Sequence, residues 1–296
     1  MGKIIMSTKR NMIMCKRQRF NRSAGGNGLA FFFLLVLGAF TALPILYSVI
    51  NAFKPLPELF TYPPRFFVQH PTLRNFGELF RLQKDMLVPI ERYLVNSLFV
   101  TIAGTVLYVA VAAMAAYPLA RFDFTGKKVL FQLVVLCILF RPEVTAIPQY
   151  VVMAKMHLID TLGAVIFPIL GTTFGVFLMR QFMETIPNDI LEAARVDGLG
   201  EGGIFFCMVL PMVRPAMLTL VIFTFQSMWN NNGVQVIYQE KLKLLPTALQ
   251  QISTAGFERA GVAAVISVIL MLPPVLLFVF SQRSVIETMA YSGMKT

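Results

Sequence analysis

Six stretches of this chain are long and apolar enough to cross a membrane. They cover residues 29–50, 94–118, 129–147, 162–181, 213–232 and 262–281. About 20 helical residues, each advancing about 1.5 Å, span a hydrocarbon core of roughly 30 Å. The charge content supports the same reading. Only 14% of residues are charged and 56% are apolar, with a mean hydropathy of +0.68, whereas a soluble domain keeps about a quarter of its residues charged. The expected fold is an all-α polytopic membrane protein with six transmembrane helices. Arg141-Pro142-Glu143 interrupts the third run near its end, and polar residues from Gln226 onward interrupt the fifth.

The net charge of +11 does not call for nucleic acid, because of where it sits. Residues 1–28 hold seven Lys or Arg, from Lys3 to Arg22, and no acid. A basic segment directly before a first span marks a cytoplasmic N-terminus, and six spans return the C-terminus to the same side. A cleavable signal peptide is the competing reading, but the apolar run exceeds an ordinary h-region. The expected organisation is a basic tail (1–28), a six-helix transmembrane domain (29–282) and a short cytoplasmic tail (283–296). Cys15, Cys137 and Cys207 fall at no metal or redox spacing, so neither a disulfide nor a metal site is expected. His70 and His157 read as solvated loop residues.

Along the chain, Pro55, Pro57, Pro63, Pro64 and Pro71 exclude a long helix after the first span and predict an extended external connection. Gly171 and Gly175 stand at GxxxG spacing in the fourth span, where close helix packing is expected rather than a hinge. The loop between the fourth and fifth spans, about 182–212, contains GLGEGG at 198–203. Those glycines satisfy a dinucleotide-binding pattern, but helix formers precede them and the next acid after Glu201 is Glu240. A nucleotide loop needs a preceding strand and a carboxylate about 20 residues on. The stretch reads instead as a short helix. Pro187 is in its first turn, Asp189 and Glu192 are near its positive end, and Gly198 ends it in the left-handed conformation. Gly200, Gly202 and Gly203 would then turn the chain back to the membrane. Adjacent Ala193 and Ala194 would let another surface approach closely, although an ordinary interhelical loop is the alternative.

PNDILEAARVDGLGEGGIFFCMVLPMVRP closely resembles the cytoplasmic EAA loop of permease subunits in binding-protein-dependent ABC importers. The match rests on Glu192, Ala193, Ala194, Asp197, Gly198, Leu210 and Pro211. FKP at 53–55, NF at 75–76, RYLVNSL at 92–98, YPLARFDFTGKK at 117–128, IPQY at 147–150, WN at 229–230 and LLPTALQ at 244–250 are similar to maltose-type sugar permeases, as is Gln282-Arg283. TMAYSGMKT at the end and NNNG after Trp229 depart from that pattern. The resemblance implies a type I ABC importer permease in a bacterial cytoplasmic membrane, paired with a second, related permease. It implies docking on two cytoplasmic ATPase subunits, which would hold ATP and Mg, and service by an extracytoplasmic solute-binding protein. Glu192 would be the charged contact to the ATPase. The chain itself has no GxxxxGK[ST] loop and is expected to bind no cofactor and to have no catalytic residue.

Substrate-pathway candidates follow from chemistry, since sugars stack on aromatic faces and bond to amides and charges. Gln226, Trp229, Asn230 and Asn231 have that chemistry, although a membrane-interface tryptophan before a polar loop would look the same. Arg141 and Glu143 are either an ion pair at the outer edge or part of a lined pathway. The resemblance leans toward oligosaccharides from plant polysaccharide such as pectin. Another small solute, such as a glycerol phosphodiester, and an ion-coupled secondary transporter are the alternatives. A membrane enzyme lacks its parts here, with no HExxH or GxSxG.

Overall fold

The structure, a computed structural model, describes residues 24–85 and 88–292. Residues 1–23 of the expected basic tail, Cys15 among them, and residues 293–296 of the expected C-terminal tail lie outside the described residues. Every regular element among the described residues is helical. In order these are α1 (Ala24–Ala52), α2 (Leu56–Leu59), α3 (Arg74–Asp85), α4 (Ile90–Arg121), α5 (Lys127–Ile138), α6 (Pro142–Lys155), α7 (Gly163–Leu170), α8 (Phe174–Glu184), α9 (Asn188–Val196), α10 (Glu201–Gly203), α11 (Leu210–Met212), α12 (Arg214–Trp229), α13 (Leu245–Thr254) and α14 (Ala260–Ser292). A π-helical stretch, Ile204–Val209, joins α10 to α11. Among the described residues, those from Ala24 to Tyr47 form one unit and those from Ser48 to Ser292 another.

Three helices are long and apolar enough to span alone: Gly28–Ala52, Ile90–Arg121 and Phe257–Gln282. Three bent helix pairs have that length and apolarity together, α5 with α6 at 110°, α7 with α8 at 41°, and Glu201–Met212 with α12 at 75°. The third expected span is therefore corrected. Residues 129–147 are not one helix, because α5 ends at Ile138 and α6 begins at Pro142. A proline excludes its predecessor from helical geometry and has no N–H to give. Arg141 accordingly sits extended at φ −77°, ψ 145°.

The break between α7 and α8 is held by one side chain. Tyr108 of α4 donates its hydroxyl to the Thr172 carbonyl (3.2 Å) and accepts the Gly175 N–H (2.7 Å). These are backbone groups that a broken helix leaves without partners, and unpaired buried groups are costly. A Cβ at Gly175 would stand 2.7 Å from the Tyr108 hydroxyl, whereas one at Gly171 would meet nothing nearer than 3.5 Å. The GxxxG expectation of close packing thus describes Gly175 and not Gly171.

Helix α4 is the axis on which α7, α8, α12 and α13 pack. Its N-terminal end holds the segment between the fifth and sixth spans. Tyr93 donates to Glu240 (2.6 Å), Asn96 to the Lys241 and Lys243 carbonyls (2.9 and 3.1 Å), and Ser97 accepts the Leu245 N–H (2.7 Å). A second segment at this end is tied by Asp160, whose carboxylate accepts the N–H groups of Tyr238 (2.9 Å) and Gln239 (2.8 Å). The Gln239 and Tyr238 amides favour its ionised form and hold its pKa below the ordinary carboxylate value.

The extended connection expected after the first span is interrupted by α2 and followed by a helix, α3, that the proline pattern did not predict. Asn75 of α3 explains why the chain turns there. Its buried amide donates to the carbonyls of Ala52 (2.9 Å) and Lys54 (2.8 Å), which α1 leaves unbonded at its end. Gly261 of α14 lies against the same side chain, with room for no Cβ: one would stand 2.4 Å from the Asn75 Oδ1. Lys54 is itself buried and donates to the Arg65 carbonyl at 2.6 Å.

Candidate functional site

The loop between the fourth and fifth spans forms the short helix expected of it. Pro187 precedes that helix rather than opening its first turn. At φ −61°, ψ 138° it is the extended residue before Asn188. The C-terminal end is closed by backbone alone. Gly198, at φ +88°, donates to the Arg195 carbonyl, and Leu199 donates to the Ala194 carbonyl, both at 3.0 Å. A left-handed residue there lets the chain reverse while the last carbonyls of the helix stay bonded.

The other three glycines do not turn the chain as expected. Gly200 is the extended residue before α10, and Gly202 and Gly203 are helical residues within it. One left-handed residue already makes the reversal, so the following glycines have no turn to form.

Two faces of α9 have different partners. Leu191 and Ala194 are buried in a core that also contains Ala112 and Ala116 of α4, Met179 and Met183 of α8, and Val209 and Val213. Glu192, Ala193 and Asp197 are exposed. Successive helical residues point about 100° apart, so the two alanines serve different surfaces. Ala194 lets α9 lie close on its own bundle, while Ala193 leaves the outer face low. An open groove of about 450 Å³ follows that face, lined by Asp189, Ile190, Ala193, Ala194, Asp197, Leu199 and Met208. Leu210 packs against the core beneath the loop, and Pro211 is exposed at the start of α11, ahead of the 75° bend.

The residues that fix this loop to the bundle were not singled out from sequence. Arg121 donates to Asn188 Oδ1 and to the Ile186 carbonyl, both at 2.7 Å, and also to the Met183 carbonyl. One turn earlier on α4, Tyr117 donates to Glu201 at 2.8 Å, and Glu201 also receives Arg195 at 2.9 Å. Arg180 donates to the Leu119 carbonyl (3.1 Å), pairs with Glu184 (2.5 Å) and lies 3.6 Å over the Phe131 ring. The available signal was YPLAR at 117–121, a stretch matched by resemblance without a role for its Tyr or Arg.

The pathway candidates divide sharply. Trp229 is buried within this chain, 1% exposed, and offers no open stacking face there. Its indole N–H is taken by the Leu270 carbonyl at 2.7 Å, and its ring stacks on Phe225 with centroids 6.0 Å apart. Gln226, Asn230 and Asn231 are exposed. Asn230 donates back to the Gln226 carbonyl (2.9 Å), and Asn231 accepts the Gly233 N–H (2.9 Å). Ser227 and Phe223 are exposed on the same helix. Arg141 and Glu143 are both exposed, and of the two alternatives offered for them the ion pair is not formed: among the described residues neither belongs to a salt bridge. Both stand at the break between α5 and α6, Arg141 as the extended residue just before α6 and Glu143 in its first turn.

Trp229→Ala is therefore expected to destabilise the permease by about 3–5 kcal/mol, the usual cost of emptying a buried aromatic site. Asn230→Ala should stay within about 0.5 kcal/mol, as exposed substitutions do. Thermal unfolding of the two variants in detergent, followed by size-exclusion chromatography, checks the contrast.

Comparison with known proteins places this geometry. The family model for binding-protein-dependent transport system inner membrane components matches residues 97–290. The chain is 32% identical over 202 residues to the arabinooligosaccharides transport system permease protein AraQ of Halalkalibacterium halodurans, covering 68% of this chain and 72% of that one. It is 29% identical over 211 residues to the polygalacturonan/rhamnogalacturonan transport system permease protein YtcP of Bacillus subtilis, covering 71% of each. A chain in the crystal structure of a bacterial ABC transporter involved in the import of the acidic polysaccharide alginate superposes with a TM-score of 0.75 at 20% identity. That superposition covers 88% of this chain and 98% of the other, and it carries the fold alone.

Proposed function

The chain belongs to the family of binding-protein-dependent transport system inner membrane components, and we propose that it is a permease subunit importing an oligosaccharide derived from plant polysaccharide. The protein is a multi-pass helical membrane protein of an ABC transporter. The observation that carries the finer reading is the exposed face of α9. A nine-residue helix with a buried Leu191/Ala194 face and an open Glu192/Ala193/Asp197 face is built to be docked upon. In this reading two cytoplasmic ATPase subunits bind ATP and Mg and receive that face in their clefts. A second, related permease completes the pathway, and an extracytoplasmic solute-binding protein delivers the sugar. Both ends of the chain would be cytoplasmic, in a bacterial cell membrane.

The relatives named for arabino-oligosaccharide and polygalacturonan/rhamnogalacturonan transport support a plant-derived substrate. Gln226, Ser227, Asn230 and Asn231 supply amide and hydroxyl groups of the kind that bond to sugar hydroxyls. The test is uptake by cells with and without the transporter, using labelled arabino-oligosaccharides, oligogalacturonides and maltodextrins. Loss of uptake of one of the two plant-derived classes on deletion is expected. Loss of maltodextrin uptake alone, or of none, contradicts the substrate reading.

A further inference from the structure

Both ends of α9 are gripped from a single turn of α4. Arg121 holds the entrance: its guanidinium bonds to Asn188, the first residue of α9, and to the carbonyls of Ile186 and Met183 at the end of α8. Tyr117 holds the exit through Glu201, whose second carboxylate oxygen receives Arg195 from the last turn of α9. Tyr117 and Arg121 are four residues apart and so share one face of α4. Apart from these polar ties, α9 touches the bundle through Leu191 and Ala194, whose apolar contacts have no preferred direction and would permit sliding. Hydrogen bonds at both ends remove that freedom, since each has a required distance and angle. Arg121 also keeps its Nε buried without a partner, so the guanidinium is placed for the loop rather than for its own full satisfaction.

We infer that Tyr117, Arg121, Arg195 and Glu201 are positioning residues that lock α9 to α4, making α4 the lever moved by the docked ATPase. The inference rests on the reading of α9 as the docking helix. A rigid α9–α4 body delivers any displacement of α9 directly to Tyr108 and the α7–α8 break. It also delivers it to the far end of α4, where Tyr93, Asn96 and Ser97 hold the 240–245 segment. Without the lock, α9 shifts on its apolar face and the movement is lost. The claim concerns one element with defined bonds at both ends, the physical basis that coupling requires.

The test uses the assembled transporter in nanodiscs, with Cys15, Cys137 and Cys207 replaced by serine. Spin labels are placed on Val196 of α9 and Val106 of α4, which are 87% and 64% exposed. The α9–α4 distance distribution is expected to be the same without nucleotide and with ATP and vanadate. Tyr117→Phe removes the hydroxyl donor and Glu201→Leu the acceptor of both bonds, and each should make that distance shift on ATP addition. Glu201→Arg should shift it as well, and adding Arg195→Glu to that variant should restore the unshifted distribution, a rescue that a merely structural role does not predict. A nucleotide-dependent shift in the wild type, or an unshifted distance in the single variants, overturns the lock. Failure of the ATPase to co-purify with the wild-type permease is a separate readout and overturns the docking reading itself.

Discussion

Gly198→Val is expected to abolish uptake while leaving the permease in the membrane at its normal level. Gly198 ends α9 at φ +88°, and a Cβ built there meets no atom within 4 Å. The penalty therefore comes from the backbone and not from a clash. An L-residue in the left-handed region costs about 1–2 kcal/mol, and a β-branched one is a genuine outlier there. The cheapest relief is to move the turn, which pulls Leu199 and Glu201 out of place and with them the Arg195 and Tyr117 contacts. Asparagine tolerates the left-handed region, so Gly198→Asn should retain a large part of the activity. Parallel measurement of uptake and membrane-inserted protein for both variants checks this. Normal uptake by Gly198→Val would remove the turn from the mechanism.

Glu192→Arg is expected to lower co-purified ATPase by about tenfold or more, with the thermal stability of the permease unchanged. Glu192 is exposed and among the described residues belongs to no salt bridge; its charge acts within the chain on the exposed Arg195, three residues on, and such surface changes stay within about 0.5 kcal/mol. Across an interface the arithmetic differs. Breaking a buried charged contact costs about 2–5 kcal/mol, and each 1.4 kcal/mol is about tenfold in affinity. Co-purification at the wild-type level would place Glu192 outside the interface.

The parts of the molecule that were legible in sequence are those governed by local rules. Apolar run length marked the three continuous spanning helices and the regions of the three bent pairs, and a Pro187 start with a Gly198 stop marked α9, because capping geometry depends on a few adjacent residues. The breaks were less legible. Arg141-Pro142 announced an interruption but not a 110° bend, which depends on what α5 and α6 pack against. The burial of Trp229 was not legible, because a tryptophan beside asparagines looks like an exposed site until Leu270, 41 residues away, is seen to take its N–H. The same holds for Asn75, which answers to carbonyls of Ala52 and Lys54, and for Tyr117 with Glu201, 84 residues apart. Long-range polar pairs leave no periodic trace in a single sequence. In GLGEGG the surplus of glycines suggested a broad turn, whereas one left-handed residue was enough and Glu201 proved to be the structural anchor of the stretch.

The central claim is that this permease moves its substrate with energy received through α9. Its most direct test is solute uptake into proteoliposomes containing the complete transporter, with the binding protein outside. Uptake should require ATP on the ATPase side and should persist when ionophores collapse every ion gradient. Uptake driven by a proton or sodium gradient, in vesicles holding this chain without an ATPase, would contradict the account.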